Sequence, residues 1–296
     1  MAKDCQQMFD MNLEEIQKVG AIAQNSIIHA DCLEAMKYIA DKSIDCIICD
    51  LPYGITACHW DSVIPFEPLW EQYKRIIKPN GAIVLFGSQP FTSALVMSNP
   101  KWFKYEWIWE KQQGTNFGNA NYSPMKVHEN ILVFGQFPAS PTRSKLKNYN
   151  PQFLEGEPYK LERKPRQDRS IYRLLGNKNS SMLSNPTPID NNGYRYPRSV
   201  LRITKTQGKH PNAKSTELLE YLIKTYTQEN ELILDNTAGS GSLAIAAINT
   251  KRNYICIEKD DHYFEVMRDR IANHDPNAPV KKIKVKSAPE SQLSLF

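Results

Sequence analysis

The chain has 296 residues, 41% hydrophobic and 23% charged, a balance that suits one α/β domain of generous size with an inserted region. No stretch approaches the roughly 20 uncharged apolar residues of a membrane span, and residues 1–20 are too polar for a signal peptide, so a cytoplasmic protein without a membrane partner is expected. The formal net charge is +5 but uneven: residues 138–205 hold 14 Lys/Arg against 5 Asp/Glu, which leaves the rest of the chain net negative.

Ser26 to His29 reads as a short strand, and Asp31 to Ala40 as a helix with Leu33, Met36, Lys37 and Ile39 on one face. Ile44 to Cys49 is a buried strand that stops at Asp50, where Pro52 and Gly54 force a turn. Pro65 to Lys78 places Leu69, Tyr73, Ile76 and Ile77 on one helical face and is ended by Pro79-Asn80-Gly81. Ala82 to Phe86 is an apolar strand, Phe91 to Met97 a short helix, and Tyr105, Trp107 and Trp109 alternate as in a strand. Gln112 to Pro124, rich in Gly and Asn, reads as a mobile loop before a strand at Glu129 to Phe134.

Residues 138–205 are rich in Pro, Asn and Arg without sustained periodicity, as expected of an inserted domain or long loop system. Regular order resumes with a helix at Ser215 to Thr227, a strand at Leu232 to Leu234, a helix at Ser242 to Asn249, a strand at Tyr254 to Ile257 and a helix at His262 to Ala272. Such alternation argues for a largely parallel sheet with helices on both faces and ligands at the carboxyl ends of the strands. The six cysteines are scattered, and Cys46-Ile47-Ile48-Cys49 sits inside an apolar run, so they read as reduced core thiols. Cys58 and His59 lack a second ligand pair at zinc spacing, and no metal is expected.

Two segments carry chemistry. Leu232-Ile233-Leu234-Asp235-Asn236-Thr237-Ala238-Gly239-Ser240-Gly241-Ser242 is a strand, a glycine turn and a helix start, where backbone can approach a nucleoside cofactor closely. Glu258, at the end of the next strand, can accept hydrogen bonds from ribose hydroxyls. A dinucleotide pattern would fit Gly239, Gly241 and Ala244 equally well, but a nicotinamide dehydrogenase leaves Asp50-Leu51-Pro52-Tyr53 without a role. That tetrapeptide follows a buried strand and combines a hydrogen-bond acceptor, a stiff turn and an aromatic face.

Asp50-Leu51-Pro52-Tyr53 resembles the catalytic motif (Asp/Asn/Ser)-Pro-Pro-(Tyr/Phe/Trp) of the amino-methylating DNA methyltransferases, with Leu51 in place of Pro. The catalytic motif before the cofactor loop, with a target-recognition region between them, is the order of the beta class. The resemblance spans about Ser26 to Ala272 and includes His128-Glu129-Asn130-Ile131-Leu132-Val133-Phe134 and the helix opened by His210-Pro211-Asn212-Ala213-Lys214-Ser215. Ser215 stands where the family has Pro, and Thr237 where it usually has Phe.

The resemblance implies a Rossmann-like S-adenosylmethionine-dependent methyltransferase fold with a mostly parallel seven-stranded sheet and circularly permuted motif order. Its expected parts are an N-terminal extension (1–25), the catalytic half (26–137), a target-recognition insert (138–205), the cofactor-binding half (206–274) and a flexible tail (275–296). It places S-adenosylmethionine against Asp31, Asp235, Asn236, Thr237, Ala238, Gly239, Gly241, Glu258, Lys214 and Ser215. Asp50 and the Leu51 carbonyl would each accept an N–H of the target amino group, and Tyr53 would stack on the base. A base inside a duplex cannot reach such a pocket, so flipping is expected. Asp at the first motif position accompanies adenine N6 methylation more often than cytosine N4, which stays as the alternative; a catalytically inactive DNA-binding module is the alternative from another class.

Double-stranded DNA is the expected partner, contacted by Arg163, Lys164, Arg166, Arg169, Arg173, Arg195, Arg198 and Arg202 of the insert, mostly at phosphates, and by Phe117, which could close over the flipped base or fill its gap. The terminal Gln292-Leu293-Ser294-Leu295-Phe296 resembles the pentapeptide by which bacterial replication proteins dock on the sliding clamp. A homodimer is an admitted assembly. No nuclease motif stands out, so the expectation covers both restriction-modification and orphan methylases.

Overall fold

A computed structural model of the chain describes residues 9–54, 61–115, 117–136, 149–161, 189–203 and 214–276. These fall into two compact units, one drawn from Met1–Asn150 and Arg198–Lys286 and a smaller one from Pro151–Pro197.

The larger unit is built on a sheet. Its strands are β1 (Phe9–Asn12), β2 (Ser26–His29), β3 (Ile44–Cys49), β4 (Ile77–Gly87), β5 (Phe103–Thr115), β6 (Lys126–Phe134), β11 (Val200–Leu201), β12 (Leu232–Asp235) and β13 (Asn253–Glu258). Its helices are α1 (Leu13–Val19), α2 (Cys32–Met36), α3 (Phe66–Ile76), α4 (Phe91–Ser98), α5 (Thr216–Tyr226), α6 (Ser242–Asn249) and α7 (Asp261–Ala272). The strand order is β1-β2-β13-β12-β3-β4-β6-β5-β11. Only β6 runs antiparallel to its two neighbours; the other pairings are parallel. The seven expected strands form the interior, and short β1 and β11 extend the sheet at its two edges.

β3 is buried at all six positions, as a parallel strand covered on both faces must be. Its alternation divides the core in two. Cys46 and Ile48 join Val84, Ile233 and the apolar faces of α5, α6 and α7. Ile47 and Cys49 join Leu85, Leu234 and residues of α1 to α4. A one-residue slip of β3 would exchange these two sets, so the register is firmly specified.

Several boundaries differ from the sequence reading. The helix expected to reach Lys78 ends at Ile76, because Pro79 disfavours helical backbone at the residue before it and Ile77 instead pairs with Ile44. The helix expected to reach Ala40 stops at Met36; the Arg75 guanidinium takes the carbonyls of Met36 and Ile39 at 2.6 and 2.7 Å, satisfying groups that further turns would have used. The expected mobile loop is shortened by β5, which runs to Thr115, with a 3-10 turn at Phe117–Asn119 before β6. The N-terminal extension holds β1 and α1, the latter opened by a capping box between Asn12 and Glu15 and closed by left-handed Gly20.

The smaller unit contains two short antiparallel pairs: β7 (Leu154–Glu155) with β10 (Tyr194–Arg195), and β8 (Tyr159–Leu161) with β9 (Ile189–Asn191). The four described cysteines, Cys32, Cys46, Cys49 and Cys256, are buried and free. No helix among the described residues is long and apolar enough to cross a membrane.

Candidate active site

Strands β13, β12 and β3 are neighbours with parallel direction, so their carboxyl ends bring Glu258, Asp235 and Asp50 to one edge of the sheet. That is where ligands bind in open α/β sheets. A cavity of about 550 Å³ opens there, lined by Asp31, Asp50 to Tyr53, Asp235 to Ser240 and Glu258, together with Lys111, Lys126, Glu129 and Lys214.

The loop after β12 needs glycine twice. Gly239 and Gly241 have φ of +51° and +73°, a region that residues with a Cβ seldom enter. A Cβ at Gly241 would also come within 2.6 Å of Met267 Cγ, whereas one at Gly239 would meet nothing within 4 Å. Gly239 therefore leaves room beside the backbone, as a cofactor cradle requires. Its N–H donates to Glu258 Oε2 at 2.7 Å, and Lys259 and Asp260 donate to Oε1 at 3.0 and 2.9 Å, which fixes the Glu258 carboxylate at the rim. Asn236 is 2% exposed. Its Oδ1 accepts from Tyr73 Oη at 2.6 Å and from Cys49 Sγ at 2.8 Å, while its Nδ2 has no partner among the described residues.

The Asp50 loop is held at three points. Tyr53 Oη donates to Asp50 Oδ1 at 2.6 Å, Lys214 Nζ lies 2.7 Å from Oδ2, and Thr237 Oγ1 donates to the Asp50 carbonyl at 3.2 Å. The hydroxyl of Thr237 thus ties the loop after β12 to the loop after β3, a contact that the family's usual Phe could not make. Leu51 is 3% exposed and packs in the core with Cys49 and Leu85, so an apolar side chain suits the second motif position. Tyr53 stacks on Phe91, with ring centroids 5.1 Å apart.

The electrostatics are set by burial and by alternating charge. Burial pushes the Asp235 carboxyl up to about 7, against the Thr237 N–H and with help from Asp50 and Glu258. Burial also acts to raise Glu129, but the Lys214 and Lys111 ammonium groups outweigh it and hold that carboxyl at about 2. For Lys214, burial acts to lower the pKa, and Asp50 and Glu129 together raise it. Burial lowers Lys126, whose Nζ donates to Ser88 Oγ.

The remaining sequence-nominated residues divide. Asp31 lines the cavity while its Oδ1 caps α2 through Leu33 N at 2.9 Å, so the cap of that helix is also part of the cavity wall. Ser215 is buried at the start of α5, its hydroxyl donating to Glu217 at 2.5 Å. Arg195 lies over the Tyr159 ring at 4.6 Å and donates to Asn191 and to the Glu157 carbonyl, which makes it a brace of the smaller unit. Arg202 pairs with Glu110 at 2.8 Å. Arg198 is exposed and Phe117 is 79% exposed. Arg163, Lys164, Arg166, Arg169, Arg173 and the terminal Gln292, Leu293, Ser294, Leu295 and Phe296 lie outside the described residues.

Sequence reasoning missed Lys111 and Lys126 and did not single out Glu129 within its quoted strand. The signal was the two-residue period: Lys111 follows Trp109 on the same strand face, at the end that meets the cavity.

A family model described as DNA methylase, of N6/N4 methyltransferases, matches residues 44–269. The chain is 26% identical over 294 residues to the type II methyltransferase M2.MboI of Moraxella bovis, covering 91% of this chain and 94% of that one. It is also 26% identical over 276 residues to the DNA adenine methyltransferase YhdJ of Escherichia coli K12, covering 88% and 87%. Among solved structures, the M1.HpyAVI–SAM complex superposes with a TM-score of 0.53 at 23% identity, covering 82% of this chain and 98% of that one. The parallel sheet, the two loops at its carboxyl edge and these matches agree: the chain belongs to the N6-adenine/N4-cytosine DNA methyltransferase family.

Proposed function

We propose that this protein transfers a methyl group from S-adenosylmethionine to the exocyclic N6 of an adenine flipped out of duplex DNA. The observation that carries the reading is the joining of the Asp50 loop to the Asp235–Gly241 loop in one cavity, through the Thr237 hydroxyl and the Asp50 carbonyl.

The cavity suits the cofactor's chemistry. Asp235 is a buried carboxyl whose anion is disfavoured by burial and by Asp50 and Glu258, and a cationic ligand would relieve that. Asn236 Nδ2 offers a buried donor without a partner among the described residues, and Gly239 leaves space beside its backbone. Asp235, Asn236, Ala238, Gly239 and Glu258 would hold the group, with Asp31 at the rim. When bound, the cofactor supplies an electrophilic methyl on a sulfonium and carries its own leaving group.

The protein's part is position and electrostatics. An exocyclic amino nitrogen is a poor nucleophile because its lone pair is delocalised into the ring. Asp50 accepts one of its N–H bonds and the Leu51 carbonyl the other, which draws the nitrogen towards tetrahedral geometry and localises the lone pair. Asp50 is also the nearest acceptor for the proton that the amine gives up once methylated. Tyr53 stacks on the base. Unstacking and unpairing that base costs a few kcal/mol, offset by contacts from the basic insert and from exposed Phe117.

The test is transfer of labelled methyl from S-adenosylmethionine to plasmid DNA, followed by nucleoside analysis. N6-methyladenine as the labelled product supports the reading; N4-methylcytosine would replace adenine by cytosine with the same residues in the same roles. The tail Gln292 to Phe296 is proposed to dock on the sliding clamp, and clamp binding unchanged by its deletion would end that part.

A further inference from the structure

Lys214 stands between two carboxylates in the cavity wall. It immediately precedes α5, its side chain is 11% exposed, and its Nζ lies 2.7 Å from Asp50 Oδ2 and 2.9 Å from Glu129 Oε2. Lys111 holds the other oxygen of Glu129, Oε1. The result is a partly buried chain of alternating charge, Asp50, Lys214, Glu129, Lys111, in which Glu129 is flanked on both sides. The Lys214 ammonium also lies 4.9 Å from the centroid of the Phe86 ring.

The two oxygens of Asp50 are held differently. Oδ2 has a charge-assisted bond to a buried ammonium, and Oδ1 accepts from the neutral hydroxyl of Tyr53 at 2.6 Å. The ammonium adds a Coulombic attraction between opposite charges that the uncharged Tyr53 hydroxyl lacks, so the Tyr53 hydroxyl is the partner that an incoming N–H can displace.

We propose that Lys214, anchored by Glu129, is a positioning residue for methyl transfer: it fixes the rotation of the Asp50 carboxylate through Oδ2 and so presents Oδ1 to the amino group of the base. The proposal rests on the catalytic reading of Asp50. It differs from the cofactor contact that the motif of Lys214 suggests, since the ammonium is already paired with the carboxylates of Asp50 and Glu129. Other charged or titratable groups near Asp50 are Tyr53 on its own loop, Asp235 from β12, and Lys111 and Glu129 from the β5–β6 pair.

The experiment is single-turnover methylation of duplex DNA at saturating S-adenosylmethionine, with binding of cofactor and DNA measured separately. Lys214→Met is expected to slow methyl transfer by about 100-fold, the scale of losing one preorganised polar contact at a reacting centre, with both dissociation constants within about threefold of the parent. Lys214→Arg, which keeps the charge, should recover at least about tenfold of that loss. In an Asp50→Asn background, Lys214→Met should lower the residual rate by less than about threefold, because residues that act through one another are not additive. Weakened cofactor binding with an unchanged saturated rate would overturn the proposal, as would equal losses in both backgrounds. Should Lys214→Met fail to fold, Glu129→Gln decides: it loosens the anchor, and an unchanged saturated rate would count against the idea. An Asp50→Ala protein with full activity would instead remove the catalytic reading of Asp50 itself.

Discussion

Replacing Asp235 by asparagine should stabilise the ligand-free protein, and by more at pH 8 than at pH 5. Burial, opposed by the Thr237 N–H and reinforced by Asp50 and Glu258, raises this carboxyl to about 7, whereas in an unfolded chain it ionises near 3.9. Between those values the folded protein keeps a proton that the unfolded chain releases, so this contribution to stability declines as pH rises through the window. Converted from the pKa difference, the penalty is about 1–2 kcal/mol at pH 5 and about 4 kcal/mol at pH 8. The amide does not titrate, and its oxygen can keep the bond from Thr237 N, which is 3.1 Å long to Asp235 Oδ1. Urea unfolding of parent and Asp235→Asn across pH 5 to 8 should therefore show the variant's advantage growing by about 2–3 kcal/mol. A difference that stays constant across this range would refute the buried, proton-binding description of Asp235. The same variant should bind S-adenosylmethionine more weakly, since it lacks an anion for the cofactor's cationic groups.

Other outcomes follow from single contacts. Thr237→Val removes the hydroxyl that holds the Asp50 carbonyl; a hydrogen bond contributes about 0.5–1.5 kcal/mol, so the single-turnover rate should fall roughly two- to tenfold, with cofactor affinity changed less. Gly241→Ala places a Cβ against Met267 at a left-handed position and should destabilise by roughly 2–4 kcal/mol, read as a lower urea midpoint. Glu129 is held at about 2 against its ordinary 4.5, so its stabilisation is present above about pH 4.5 and lost as pH falls towards 2. Glu129→Gln should abolish about 3 kcal/mol of that acid dependence, seen as a flatter stability profile between pH 5 and pH 2.

The sheet was legible because β3, β4, β12 and β13 are apolar runs ended by turn residues, and the Asp50 and Asp235–Gly241 loops follow β3 and β12 directly. What escaped the sequence depends on contacts distant along the chain. Arg75 ends α2 from thirty-six to thirty-nine positions away, and Ile77 leaves its helix because Ile44 pairs with it. The Asp50–Lys214–Glu129–Lys111 chain joins the β5–β6 pair to the start of α5 and to the end of β3, and no local spacing records such a meeting. The capping box at Asn12 and Glu15 was a local signal that the polar look of the N-terminal segment concealed.

The central claim is that Asp50 presents an acceptor to a base amino group beside a bound S-adenosylmethionine. Its most direct test is to express the parent and Asp50→Ala proteins in a host lacking DNA methylation and to sequence the DNA for modified bases. The account predicts N6-methyladenine at a defined sequence with the parent, and none with Asp50→Ala even though that protein still folds and binds cofactor. Modification that persists in Asp50→Ala, or a folded, cofactor-binding parent that leaves the DNA unmodified, would contradict it.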